Sequence, residues 1–294
     1  MQIIPGPASN ELGEKIAQLS GFEKVSVAYK VFPDGENYVR LEGNLQNEHV
    51  AIVQTTSAPQ DTNLMQLAFI AAAAKRNAAR KVTAVIPYLA YARQDKIFLQ
   101  GENASIETVA TLLHAAGIDE LITVNVHSEK ALANFPFPAR TLTAIPLLAE
   151  HFVQRGFRNA FALAPDKGAM HIAEQAQRVL DGEAGHLEKE RDRYTGQTTQ
   201  TGEKLNVQGK TVIIFDDIIS TGGTIVGAAK ILHEQGAKQV FAACVHPLLI
   251  GDAEKRIIEA GVKEIVGTDS VPRRVSKVSL APLLSNELKA LQSG

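Results

Sequence analysis

The 294-residue chain predicts an α/β fold built from parallel sheets, and three observations carry that prediction. Short apolar runs rich in β-branched residues, such as 49–55 and 211–215, are too brief for helices and read as strands buried on both faces. They take turns with longer stretches of helical periodicity, the pattern of parallel strands joined by crossover helices. Residues 49–88 can also be laid on residues 210–247 with a small gap. In both, a buried strand passes through a small polar turn into an apolar helix, and a second strand ends at a proline. The first copy has Thr55-Thr56 where the second has Asp216-Asp217. Duplication explains the match, and so does generic α/β regularity.

The elements follow in order. Gln2–Ile4 predicts a strand, Pro5-Gly6-Pro7-Ala8 a turn, and Ser9 an N-cap for a helix to Leu19 stopped by Gly21. Val25–Val31 is a strand, Phe32-Pro33-Asp34-Gly35-Glu36 a loop, and Tyr38–Leu41 alternates again. His49–Thr55 is a buried strand, Gln60–Arg76 an Ala-rich helix, and Lys81–Ile86 a strand ending at Pro87. Tyr88–Asn103 is irregular, Ser105–Ala116 a helix ended by Gly117, and Glu120–His127 a strand. Phe135-Pro136-Phe137-Pro138 marks a break, which places a boundary near Thr141 and gives domains 1–141 and 142–280.

The second series opens with a helix at Ile145–Arg155, a strand at Asn159–Ala164 and a turn at Pro165-Asp166-Lys167-Gly168-Ala169. A helix at Met170–Leu180 follows, then the charged, strand-like Gly185–Arg193 and a loop, Tyr194–Gly202, expected to be mobile. Thr211–Phe215 is a strand, and the helix after Thr224 stops at Gly236. Gln239–Val245 and Val262–Gly267 are strands around a helix at Asp252–Ala260. The tail, 281–294, holds a helix over Leu283–Leu291 that is expected to pack back on the first domain.

Composition narrows the function. Hydrophobic residues make up 45%, enough for a core in each half. A net charge of −2 and a pI near 6.5 leave no global basic field for nucleic acid. The single cysteine, Cys244, sits in an apolar strand and cannot form an internal disulfide, which suits a cytoplasmic home. MQIIPGPASNE lacks the charged start and apolar core of a signal peptide, and the most apolar helix, Leu64–Ala74, is too short to span a bilayer.

The chemistry gathers at Lys210–Gly236. A strand leads into Asp216-Asp217, then Ser220-Thr221-Gly222-Gly223-Thr224, then a helix. Backbone N–H groups and the positive end of the helix dipole converge at such a turn. The three hydroxyls add donors, and the glycines let backbone approach a ligand. This is a phosphate cradle, with neither the G-K-[ST] of a Walker loop nor a G-x-G-x-x-G. Two carboxylates beside it call for a ligand that also carries hydroxyls or metal-bound groups, as a ribose phosphate does.

The stretch DDIISTGGT resembles the ribose-phosphate signature of the phosphoribosyltransferase-type fold, in the version found in the ribose-phosphate diphosphokinases. Further motifs follow that family's order. Phe32, Asp34, Gly35 and Glu36 resemble its F-x-D-G-E loop, which contacts adenine from a neighbouring subunit. Tyr91-Ala92-Arg93-Gln94-Asp95 resembles its Y-A-R-Q-D segment, whose Arg and Gln serve the ATP site. Asn125-Val126-His127 resembles its D-x-H, whose His helps bind Mg2+, with Asn125 in place of the aspartate. Pro136 and Arg140 lie near where the allosterically controlled class has acids. Pro165-Asp166-Lys167-Gly168-Ala169 resembles its diphosphate turn with a Mg2+-linked Asp, and Lys directly after Asp is similar to the archaeal-type branch. Lys189 and Arg191 resemble the K-x-R of its catalytic strand, and alternation puts both on one face. Several relatives have Asp where this chain has Ser220.

The resemblance implies two tandem phosphoribosyltransferase-type domains with parallel sheets flanked by helices. It implies transfer of the diphosphoryl group of ATP to ribose 5-phosphate, with Mg2+ as cofactor. Lys189 and Arg191 are then catalytic. Arg191, Asp216, Asp217, Ser220, Thr221, Gly222, Gly223 and Thr224 bind ribose 5-phosphate. Phe32, Asp34, Gly35, Glu36, Arg93 and Gln94 bind ATP, and His127 and Asp166 hold the metal. A homo-oligomer, dimer or hexamer, with the ATP site at a subunit interface is implied as well. A phosphoribosyltransferase and a non-catalytic relative are the competing readings. The nucleotide motifs argue against the first; the retained Lys189, Arg191 and Asp pair argue against the second.

Overall fold

Two six-stranded parallel sheets organise the chain in a computed structural model that describes residues 1–191, 198–201 and 205–293. At 189–191 and 198–201 that description is of the backbone alone. Contacts divide the chain into two compact units, Met1–Leu142 with Ser279–Gly294, and Thr143–Val278.

The first sheet contains β1 (Gln2–Pro5), β2 (Glu23–Lys24), β5 (His49–Val53), β6 (Lys81–Ile86), β7 (Glu120–Val124) and β8 (Ala139–Leu142), in the order β2-β1-β5-β6-β7-β8. The second contains β9 (Phe161–Ala164), β10 (Ala184–His186), β13 (Thr211–Ile219), β14 (Gln239–Pro247), β15 (Val262–Thr268) and β16 (Ser276–Val278), in the order β10-β9-β13-β14-β15-β16. Counted within each sheet, both orders are 2-1-3-4-5-6. Each unit also inserts an antiparallel hairpin before its third sheet strand. These are β3 (Ser26–Val31) with β4 (Asn37–Glu42), and β11 (Glu188–Arg191) with β12 (Thr198–Thr201). Shared order and shared insertion favour duplication over coincidence, and residues 49–88 and 210–247 hold matching places, since β5 and β13 are both third strands.

Burial explains the strands. Every residue of β5 and β7 is buried, as expected where helices cover both faces. Helices α1 (Asn10–Ser20), α2 (Gln60–Arg76) and α3 (Ser105–Ala115) serve the first sheet; α5 (Met170–Leu180), α6 (Gly223–Glu234) and α7 (Ala253–Glu259) serve the second. Phe152, on α4 (Ile145–Gln154), is fully buried and meets Phe215 and Phe241 edge-on, with ring centroids 6.4 and 5.6 Å apart. Burial pushes the Cys244 thiol up, so it stays protonated and serves as packing.

Two helices do not stay with the sheet they follow. α4 follows β8 in sequence but packs on α5 in the second unit; α8 (Ala281–Ser293) follows β16 but packs on α1 in the first. Leu284 and Leu288 of α8 are buried, Lys289 Nζ donates to Leu19 O at 2.8 Å, and Glu287 pairs with Arg140 at 2.7 Å.

A polar relay crosses the amino ends of the first sheet. His49 Nε2 lies 2.8 Å from Thr83 Oγ1, which donates to Glu120 Oε2 at 3.1 Å. The Thr83 hydroxyl has one proton and gives it to Glu120, so His49 is the donor in the first bond. Glu120 in turn meets Lys81 and Arg140, each at 2.7 Å.

Several boundaries differ from those the sequence predicts. β7 ends at Val124, three residues before His127, because Asn125 turns into the left-handed region at φ 37°. β13 runs through both aspartates to Ile219, since β14 continues beside it as far as Pro247. Ser9 makes no capping bond to its helix; its Oγ accepts from Thr55 N at 2.8 Å instead. The strand expected over Gly185–Arg193 divides into β10 in the sheet and β11 in the hairpin, with its last two residues outside the described ones. The short edge strands β2, β8 and β16 carry too few residues for a periodic signal.

Candidate active site

In the second sheet the order reverses between β9 and β13, whose next strands, β10 and β14, lie on opposite sides. Ligands of open α/β sheets bind beyond the carboxyl ends of strands at such a reversal. The Asp166 turn follows β9, and Asp216 through Thr224 lies along the end of β13 and the start of α6. These predicted residues are therefore brought to one crevice.

The loop itself fits an anion. Val226 N bonds to Gly222 O at 3.0 Å, so the N–H groups of Gly223, Thr224 and Ile225 precede the first bond of the helix and open at its positive end. Gly222 has φ 79°, and a Cβ there lies 2.9 Å from Ile257 Cδ1. A Cβ at Gly223 meets nothing within 4 Å among the described residues, so the loop is packed on one side and open on the other. Gly222→Ala is expected to lower stability by about 1–2 kcal/mol through the left-handed backbone. Calorimetry checks this; an unchanged melting temperature rules it out.

The acids make the other wall. Asp216 and Asp217 are half-buried, and each carboxylate accepts from the next residue's N–H, at 2.9 and 2.8 Å. Burial, and then the neighbouring charge of Asp217, hold the Asp216 carboxyl well above the usual carboxylate range; Asp166 adds to the effect. Asp166 accepts from Ala169 N at 3.2 Å, which shapes its turn. Such an excess of carboxylate suits hydroxyl donors or a hard cation that takes oxygen ligands. Among the described residues no group of three or more His, Cys, Asp or Glu side chains is assembled to hold a metal alone. A divalent cation that brings phosphate and water as its other ligands fits this donor set.

The hairpin β11–β12 carries Lys189 and Arg191, whose backbones pair with Gln200 and Thr198. Their side chains, and most of Tyr194–Gly202, lie outside the described residues.

The first unit holds the other predicted residues. Phe32–Glu36 forms the exposed turn between β3 and β4: Phe32 N donates to Glu36 O, Gly35 has φ 94°, and Lys30 Nζ lies 4.7 Å from the Phe32 ring centre. Arg93 and Gln94 are exposed just beyond β6. Gln94 accepts from Ser105 Oγ at 2.6 Å, and Asp95 accepts from Ser128 Oγ at 2.6 Å. The second bond ties this segment to the residue after His127, which is exposed past the end of β7. Arg93, Gln94 and His127 thus share the carboxyl edge of the first sheet. Two residues with no sequence signal also back the phosphate loop and the strand end before it: Arg256 Nη2 donates to Thr221 O, and Leu249 N donates to Ile219 O. Arg256 lies four residues after Asp252 and pairs with it, so in sequence it reads as an ordinary surface helix pair.

Comparison with known proteins places this geometry. A family model described as the N-terminal domain of ribose phosphate pyrophosphokinase matches residues 1–117, and one described as a phosphoribosyl synthetase-associated domain matches 200–290. The ribose-phosphate pyrophosphokinase of Methanobrevibacter smithii is 40% identical over 98% of this chain and 99% of its own. The chain belongs to the ribose-phosphate pyrophosphokinase family. The enzyme of the same name from Methanothermobacter thermautotrophicus is 42% identical, again over 98% of this chain and 99% of its own. A crystal structure of phosphoribosylpyrophosphate synthetase from Mycobacterium smegmatis superposes with a TM-score of 0.88 at 30% identity, covering 100% of this chain and 99% of that one. The pyrophosphokinase fold therefore extends over both units. Among the described residues no helix is long and apolar enough to cross a membrane.

Proposed function

We propose that the protein makes phosphoribosyl diphosphate and AMP from ribose 5-phosphate and ATP. The observation that carries this reading is the phosphate loop beside two aspartates at the sheet reversal, in a chain related to pyrophosphokinases over its full length. The anomeric hydroxyl oxygen of the sugar bonds to the β-phosphorus of ATP. The bond from that phosphorus to the α,β-bridging oxygen breaks, AMP leaves, and the hydroxyl proton passes to solvent. Protein groups need make no covalent bond, so positioning and charge neutralisation account for the rate.

Ser220–Thr224 hold the 5-phosphate, and Asp216 and Asp217 hold the ribose hydroxyls. Lys189 and Arg191 neutralise charge on the transferring group. Phe32, Asp34, Gly35 and Glu36 read adenine, with Arg93 and Gln94 on the nucleotide. His127 and Asp166 are the candidate Mg2+ contacts. Bound Mg2+ supplies charge neutralisation on the triphosphate. The exposed position of the Phe32–Glu36 turn supports its use by a neighbouring subunit of a dimer or hexamer. A cytoplasmic location follows from nucleotide biosynthesis as the role.

The test is AMP release from ATP and ribose 5-phosphate alone. Product is expected with both substrates and Mg2+, and its loss with excess EDTA. A phosphoribosyltransferase gives no AMP, and that outcome overturns the reading.

A further inference from the structure

The segment after β14 backs the phosphate loop. Leu249 N donates to Ile219 O and Ile250 N to Ser220 O, both at 3.0 Å, and Arg256 Nη2 donates to Thr221 O. Three successive carbonyls, of Ile219 at the end of β13 and of Ser220 and Thr221 in the loop, are therefore taken by one segment. In a strand, successive carbonyls point to opposite sides, so the chain leaves strand geometry after Ile219. In a planar trans peptide the N–H points opposite to the C=O. The N–H groups of Ser220, Thr221 and Gly222 accordingly turn away from the backing segment together. Successive N–H groups aimed one way form an anion-binding nest.

The backing is itself braced. Asp252 Oδ1 accepts from Arg256 Nε at 2.9 Å and fixes the guanidinium. Arg273 Nη2 donates to Leu248 O at 3.1 Å, and Leu249 is held at φ 45°, where a branched side chain is strained. Ile257, one residue after Arg256, fills the space a Cβ on Gly222 would need. The Arg256 side chain is 43% exposed, so its pair with Asp252 contributes less than about 1 kcal/mol to the fold. Its cost in ordering is better explained by what it orients.

We infer that Arg256 is a positioning residue of the phosphate loop, holding the Thr221–Gly222 peptide so that its N–H faces the sugar phosphate. The inference rests on the ribose 5-phosphate reading above. It touches neither sugar nor nucleotide in this assignment and acts through the loop backbone alone.

Steady-state AMP release separates the two substrates. Arg256→Ala is expected to raise KM for ribose 5-phosphate about ten-fold, the effect of one lost charge-assisted hydrogen bond, with KM for ATP within about two-fold. Arg256→Lys recovers part of the loss, because an ammonium still donates to the carbonyl. Arg256→Gln, which keeps N–H donors without charge, replaces the Ala variant if that one melts early. An unchanged KM for ribose 5-phosphate in a folded variant, or equal rises for both substrates, overturns the inference. Absence of AMP release from the unaltered protein overturns the functional reading instead.

Discussion

Lys189→Ala is expected to lower the turnover of AMP release by about 10²-fold or more while leaving KM for ribose 5-phosphate within a few-fold. Lys189 and Arg191 are alternate residues of β11, with backbones opposite Gln200 and Thr198. Two cations two residues apart match a transferring group whose charge spreads over several oxygens. A cation placed before the reaction costs no reorganisation as charge develops, which is why its loss falls on kcat. The phosphate loop lies on other elements, the end of β13 and the start of α6, so sugar binding should survive. Turnover within a few-fold of the unaltered protein removes Lys189 from the catalytic group.

The second large effect is the share of stability that His49 loses in mild acid, against the opposite contribution of the raised Asp216. His49 is 6% exposed, and burial, followed by the charge of Lys81 beside it, lowers its pKa from 6.5 to about 4. Glu120 pulls the other way, while the N-terminus and Arg80 add to the lowering. The neutral ring is what Thr83 accepts from. The unfolded chain binds a proton near pH 6.5, and the fold does not until about pH 4. Between those values the unfolded state holds more protons, so stability falls as pH falls. The full window is worth up to about 3 kcal/mol. Glu120, held below the usual carboxylate range by Lys81 and Arg140 against its burial, loses its contribution only at lower pH. Urea unfolding at pH 7 and pH 4.5, on the unaltered chain and on His49→Leu, checks the assignment. The variant should start less stable and lose less on acidification. Equal losses in both would assign the acid sensitivity elsewhere.

Much of the fold was legible because α/β units announce themselves locally. Residues 50–53 of β5 and 212–215 of β13 are unbroken apolar runs, α2 is a long Ala-rich stretch, and α5 and α6 carry helical periodicity over 11 and 12 residues. The two-residue β2 and three-residue β16 are fixed by the neighbouring strand, a contact that no window of sequence contains. In sequence, Asp216 and Asp217 fall past the predicted strand because carboxylates seldom sit inside one. The partner strand β14 carries the ladder through them, and Asp216 accepts burial with a raised pKa. The phosphate loop was legible because its residue types are its chemistry. Arg256 and Leu249 were not, because they work through backbone carbonyls and any donor in that place would look the same in sequence.

The exchange of α4 and α8 has a consequence for the chain as it is made. The helix that covers α1 leaves the ribosome only after the whole second unit. Until then Leu12 and Ile16, buried in the finished protein, lack Leu284 and Leu288 on the helix that packs against theirs. The second unit has its borrowed helix, α4, from the outset and can close vectorially. Assembly therefore runs against the order of synthesis: the half that emerges first is the half completed last.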